Sequence, residues 1–328
     1  SEVAQRIANQ LNVKLTKEEG RRIGEKATDN VAAYEDYLKA KQAPLLQKEQ
    51  LFLDALKKDS TFALAWAGLA YTYSKMPLRN PADKPYYIRK SLDAALTAMK
   101  YGPHLSETHM VLGDVIKTIT LNPALSIKEQ NKSISLNPNN AEAYVYLAFA
   151  QMELGKFEEA EANLLKAKQL DPLSGIMWAA WITYYRYSRN AEKLMAISYE
   201  LRSNERRGVD TAIKLWRHFV KNEYDSIPAG RIARFNPVLA GITYTQTGKM
   251  NEARKLLDSL QTASPYDNAF DIGIIYAWMG EKQNAIKYLN LAYRLYDYSL
   301  ISIKVDKIFD PLRNEEGFKE LLAKMGME

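Results

Sequence analysis

Proline recurs at Pro103, Pro138 and Pro172, at intervals of 35 and 34 residues, and Leu112, Leu147 and Trp181 recur at the same two intervals. Two registers with one period mean that the chain is built from copies of one supersecondary unit. A unit this short cannot bury both of its faces, so it has to stack on its neighbours and share a core with them. The composition permits this. Of the 328 residues 47% are hydrophobic and 26% charged, enough apolar surface for a shared core and too little charge bias for a disordered chain.

The clearest unit is AEAYVYLAFAQMELGKFEEAEANLLKAKQLDP, residues 141–172. Tyr144, Leu147 and Ala148 fall on one face of a first helix, with Ala148 small enough to let a second helix approach. Gly155 makes the turn, Ala160, Leu164 and Ala167 form the matching stripe, and Pro172, which has no backbone N–H to donate, ends the second helix. The order of aromatic, Leu, small, Tyr, then Ala, large, Ala, Pro resembles the tetratricopeptide repeat (TPR) family. The resemblance implies an all-α, TPR-type α-solenoid, a right-handed superhelix of antiparallel helix pairs that holds other protein surfaces.

Further units align on the same frame. Residues 65–70 with Tyr73 predict a first helix, and 87–99 its partner, stopped by Gly102 and Pro103. Pro77, Pro81 and Pro85 make the longer loop between the two. Leu112, Gly113 and Ile116 open a unit closed by 127–136. Trp178, Trp181 and Tyr185 form the buried stripe of the next, with Tyr184 and Tyr187 pointing off it. Gly248 and Gly280 mark two late units 32 residues apart. The expected division is 1–28, a linker with N-terminal capping helices, including a capping box at 16–19; 29–202, an N-terminal array; 203–233, a degenerate basic connector with one helix at 210–221; 234–297, a C-terminal pair; and 298–328, a capping segment.

A narrower resemblance covers the ends. Ile7, Leu11, Leu15, Thr28-Asp29-Asn30, Tyr34 and Tyr37-Leu38 at the start, and Asp310-Pro311-Leu312-Arg313, Phe318 and Leu321-Leu322 at the finish, are similar to the borders of the TPR tail that follows a TolB-like domain in bacterial nucleotide cyclases, kinases and winged-helix regulators. The chain departs from that pattern at Lys39-Ala40-Lys41, where the family has a glycine, and at Glu316-Gly317, where it has Pro-Arg. The resemblance implies the C-terminal TPR region of a signalling or transcription-regulatory protein, cytoplasmic in cyclase-linked forms and periplasmic where a membrane span precedes the TolB-like domain. The opening on a helical pattern without an initiator Met fits a piece of a longer chain.

Chemistry finds no footing in the pattern. Cysteine is absent, and His104, His109 and His218 have no second ligand at metal-binding spacing. There is no phosphate-cradling glycine loop, nucleophile elbow or H-E-x-x-H. No catalytic residue, metal or cofactor is expected. The formal charge of +6 is mild for this length, and although Lys and Arg outnumber Asp and Glu over 202–234, no base-reading side chain recurs at a fixed repeat position. The longest apolar run, 62–73, is far short of the roughly 20 residues of a spanning helix. Direct nucleic-acid contact and membrane insertion are therefore not expected.

In TPR arrays the first helices line a concave face. Carried over residue by residue, the groove positions are Leu64, Ala67 and Tyr71; Met110 and Asp114; Val145, Phe149 and Met152; Ile176, Thr183 and Tyr187; and Phe270, Ile274 and Trp278. This apolar, Met-containing, aromatic channel suits an extended or helical segment of a protein or peptide partner, or of the protein's own upstream domain. The Lys and Asn with which chaperone-binding TPR proteins grip a carboxylate are replaced by Ala67 and Tyr71. Two alternatives stand beside this one: a ligand-sensing domain with a small molecule or glycan among the aromatics, and a groove filled by the chain's own residues, with 315–325 as the candidate filler.

Overall fold

The computed structural model describes residues 27–76, 83–202 and 207–328. The expected capping helices ahead of residue 27, with Ile7, Leu11, Leu15 and the 16–19 capping box, lie outside the described residues, as do Pro77 and Pro81. Every regular element among the described residues is helical. Helix pairs follow one another: α1 (Val31–Gln42) with α2 (Leu45–Lys58), α3 (Ala63–Ser74) with α4 (Lys84–Tyr101), α5 (Ser106–Thr120) with α6 (Pro123–Leu136), α7 (Ala141–Glu153) with α8 (Phe157–Leu170), and α9 (Gly175–Tyr187) with α10 (Ala191–Arg202). Short turns between packed helices make these pairs antiparallel, apart from α3 and α4, which pack on each other across the longer stretch 75–83. The fold is the expected all-α, TPR-type α-solenoid.

Local chemistry sets the boundaries. Asn30, Asn122, Asn140, Ser174 and Asn236 each cap a helix by accepting a backbone N–H with the side-chain oxygen, and Pro123 sits in the first turn, where a missing N–H costs nothing. Within a pair one turn recurs. Gly155 takes φ 80°, its N–H reaches the Met152 carbonyl, and the next N–H reaches back to Gln151. This is a Schellman-type ending, which needs a left-handed residue. Gly248 and Gly280 repeat it, whereas Arg189 makes it at φ 58° with a Cβ present. Pro103, Pro138 and Pro172 lie two residues beyond the ends of α4, α6 and α8, outside the helices they delimit.

The same turn explains the irregular middle. α11 (Arg207–Val220) ends with Asn222 at φ 60°, bonded back to Phe219, and Glu223 bonded to His218. It therefore terminates as a first helix does, but its second helix is reduced to a 3-10 turn (Tyr224–Ser226) and α12 (Ala229–Ile232). Two full pairs follow, α13 (Pro237–Gln246) with α14 (Met250–Ala263) and α15 (Ala269–Trp278) with α16 (Lys282–Arg294).

The remainder of the chain leaves the solenoid path. Two 3-10 turns, Tyr298–Ser302 and Lys307–Leu312, and α17 (Glu316–Lys324) form a tail. Leu300, Ile303, Phe309, Leu312 and Phe318 of this tail are completely buried, in one cluster with Phe219, Leu239, Ile274 and Leu289 of the array and with Leu121 beyond the end of α5. The tail is therefore packed as core over much of its length.

The groove and the segment that fills part of it

The expected groove residues all lie on first helices, and their surroundings divide sharply along the chain. At the N-terminal end, Leu64, Ala67 and Tyr71 of α3 and Met110 of α5 line an open cavity of about 260 Å³, with Phe52 and Tyr146 on its walls. Lys41, Lys48, Glu107 and Glu142 belong to the same lining, so an apolar floor has charges of both signs around it. Burial, helped by the like charge of Lys41, holds the Lys48 ammonium below its ordinary value.

Further in, the expected residues are covered. Asp114 is buried and paired with Lys75, 2.8 Å away, at the end of α3. Val145 and Met152 face the core between α7 and its neighbours, with Trp178 and Leu164, and have no free surface for a partner. Phe149 and Ile176 are half-buried, the ring of Phe149 lying 5.6 Å from the Lys117 ammonium. Thr183 gives its hydroxyl to the Ala179 carbonyl. Tyr187 lines a second cavity, with Phe270. Ile274 is sealed into the cluster that holds the tail, the Phe270 ring meets Phe309 of the tail edge-on, and the Trp278 indole N–H donates to the tail's Ile308 carbonyl at 2.7 Å.

What covers Phe270, Ile274 and Trp278 is the segment 298–312, where the sequence had offered 315–325 as the candidate filler. α17 lies instead against the last pair, where Tyr293 donates to the Lys324 carbonyl, Lys282 pairs with Glu315, and the Phe318 ring meets Phe309. The 3-10 turns before it run across successive first helices. Tyr298 sits between the Lys75 and Lys117 ammoniums, 5.4 and 5.8 Å from its ring centroid. Asp306 meets Arg186 of α9, and Asp310 meets Arg189 at 2.7 Å. Lys307 donates to the Phe219 and Val220 carbonyls and to Asn222 at the end of α11. Arg313 holds the tail in shape through the Lys304 and Asp306 carbonyls, which gives the terminal Asp310-Pro311-Leu312-Arg313 motif its structural task.

These contacts complete a buried row of alternating charge that sequence patterns did not reveal: Lys75 and Asp114, Lys117 and Glu153, Arg186 and Asp306. Lys117 and Glu153 are 3.2 Å apart, with side chains 2% and 5% exposed. Burial pushes Glu153 up to about 7, against the pull of Lys117, and it raises Asp306 against the pull of Arg186. Burial likewise pulls Lys75 down, but the charge and hydrogen bond of Asp114 together with Tyr298 outweigh it and the net shift is upward. A faint signal exists in the sequence. Lys117, Glu153 and Arg186 recur at intervals of 36 and 33 near the ends of first helices, close to the repeat period.

The arrangement braces the array from within. Among the described residues no group of His, Asp or Glu could hold a metal ion, and no helix is long and apolar enough to cross a membrane. His109 is a packed residue held by Glu129 at 2.7 Å and the Pro103 carbonyl, and His218 bonds to Glu223. One aromatic expectation needs correcting. Tyr184 belongs to the buried stripe, edge-on to Trp181 and to Phe157, while Tyr185 is only half-buried. The reason is Phe157, which reaches in from the second helix of the preceding unit.

The tetratricopeptide repeat family model matches residues 130–162, from the later part of α6 through α7 into α8. A crystal structure of a tetratricopeptide repeat protein from Parabacteroides merdae ATCC 43184 is similar at 14% identity over 90% of this chain and 99% of that one, with a TM-score of 0.39. No curated protein matches the sequence.

Proposed function

We propose that this chain is a non-enzymatic protein–protein interaction scaffold that holds an extended or helical segment of a protein partner, or of its own upstream domain, in the N-terminal stretch of its groove. The observation that carries the reading is the open cavity over Leu64, Ala67, Tyr71 and Met110. Methionine and aromatic floors accommodate varied apolar anchors, while Lys41, Lys48, Glu107 and Glu142 select the flanking charges. The inner stretch is filled by 298–312, so a partner has its apolar anchor at the N-terminal end. The resemblance of the chain's two ends supports a place in a bacterial signalling or transcription-regulatory protein of the TolB-associated kind.

Selection of displayed random peptides against the array tests this, because the selected sequences themselves reveal which anchor the groove accepts. The expected winners carry an apolar or aromatic anchor and lose binding on Tyr71→Glu or Leu64→Asp, while keeping it on Tyr266→Glu, an exposed site on the far part of the array. Peptides indifferent to both groove substitutions, with circular dichroism showing the variants folded, would remove the groove from the account.

A further inference from the structure

A second cavity, of about 410 Å³, opens where the tail crosses α9, α11 and α15. Tyr187, Trp216, Phe235, Phe270 and Tyr298 supply aromatic walls, and Asp271 lies among them. Among the described residues no hydrogen bond or ion pair engages the Asp271 carboxylate. The other charges nearby are already matched or add to the same sign. Arg186 is paired with Asp306, and its guanidinium lies 3.4 Å from the Trp216 ring centroid. Asp297 caps the Ser299 N–H, acts on Asp271 as a like charge, and has Lys84 within its own field.

The first turn of α15 accounts for part of this, since a helix N-terminus tolerates an acid. It does not account for the aromatic surround. An unmatched carboxylate in a recess walled by aromatic rings is the complement of an organic cation, whose charge the acid meets and whose body the ring faces attract. We propose that this cavity is a binding site for an ammonium or guanidinium group, with its charge on Asp271 and its apolar part against Tyr187, Phe235 and Phe270. The site is separate from the N-terminal stretch of the groove, and neither reading depends on the other. A free small amine and a Lys or Arg side chain share this chemistry, so the experiment carries both.

Calorimetric titration of the full chain with phenethylammonium, with N-acetyl-lysine N-methylamide, and with the neutral 2-phenylethanol decides the matter. At least one cation is expected to bind saturably, about tenfold or more tighter than the alcohol. Asp271→Asn, which keeps the shape and removes an unpaired charge, is expected to abolish that preference, and Phe235→Ala, at a residue 68% exposed and so safe for the fold, to weaken it. Burial raises Asp271 to about 7, so the cation has to bind more tightly as pH rises from about 6 to about 8, a range in which alkylammonium groups keep their charge. A response to phenethylammonium alone assigns the site to free amines, and a response to the lysine amide assigns it to a side chain. Equal binding of amine and alcohol, affinity unchanged by Asp271→Asn, or no saturable binding of either cation overturns the proposal.

Discussion

The first helices of the N-terminal units and those of the last two pairs present the same kind of inner face, yet one stretch lies open and the other is packed beneath the chain's own tail, with a cavity left only at the edge of that packing. Around Leu64 and Tyr71 the first helices of successive units line one cavity that no segment of the described tail enters. Around Ile274 and Trp278 the chain has supplied its own occupant, whose side chains reach back to Lys75, Lys117, Arg186 and Asn222. The difference is one of connectivity. A tail bound across several units couples them into one cooperative body, and it leaves for an extended or helical partner segment the stretch it does not cover.

Removing the tail should therefore break the comparison most completely. Burial of each Leu, Ile or Phe is worth about 1.5–3 kcal/mol, and the tail buries Leu300, Ile301, Ile303, Ile308, Phe309, Leu312 and Phe318, which together rival the roughly 5–15 kcal/mol that holds a domain folded. A chain ending at Asp297 is expected to lose cooperative urea unfolding in α13 through α16 while α3 through α8 keep their helicity. Retention of a single full-amplitude transition would show that the tail is an ornament on the array.

Smaller changes sharpen the contrast. Phe309→Ala, in the filled stretch, should cost about 3–5 kcal/mol, and Leu64→Ala, half-buried in the open one, less than about 1 kcal/mol. Equal costs in chemical denaturation would erase the distinction between the two stretches. Arg186→Met or Asp306→Leu alone strands a buried charge and should cost about 3–5 kcal/mol, whereas the double substitution should recover most of the loss. A double mutant as unstable as the sum of the single ones would contradict the pairing.

The smallest effect is one of pH. Glu153 stands at about 7 in the folded chain against 4.5 for the free side chain, so the folded state holds its proton more tightly. Its contribution is fully present below about 4.5 and is lost as pH rises through about 7. Urea midpoints of the wild-type chain should fall over that window, and Glu153→Gln should flatten the fall. An identical slope in the variant would mean that the Lys117 pair, not burial, governs this carboxyl.

The array was legible in the sequence and the tail's path was not, for one physical reason. Repeats announce themselves through local periodicity: Leu147 and Trp181 recur because each packs in the same place of its own unit, and Gly155, Gly248 and Gly280 because each makes the same left-handed turn. Even the degenerate unit keeps that turn at Asn222, but without glycine it leaves no mark in the pattern. The tail is fixed by contacts more than a hundred residues apart, such as Arg186 with Asp306, and its 3-10 turns have no 3.6-residue stripe to betray a buried face. The one clue was Asp306-Lys307 set between Val305 and Ile308-Phe309, two charges that had to find partners once their apolar neighbours were buried. Likewise the candidate groove residues all lie on first helices, but sequence spacing could not separate Tyr71, half-buried at the open cavity, from the sealed Ile274.

Native-state hydrogen exchange on the full chain tests the central claim most directly. If 298–312 is built into the groove, the Ile303, Phe309 and Arg313 amides, which donate within the tail, should exchange as slowly as the amides of α15, with the same denaturant dependence. Tail amides that exchange orders of magnitude faster than α15 would mean that the segment only rests on the array, and that the whole groove is open to a partner.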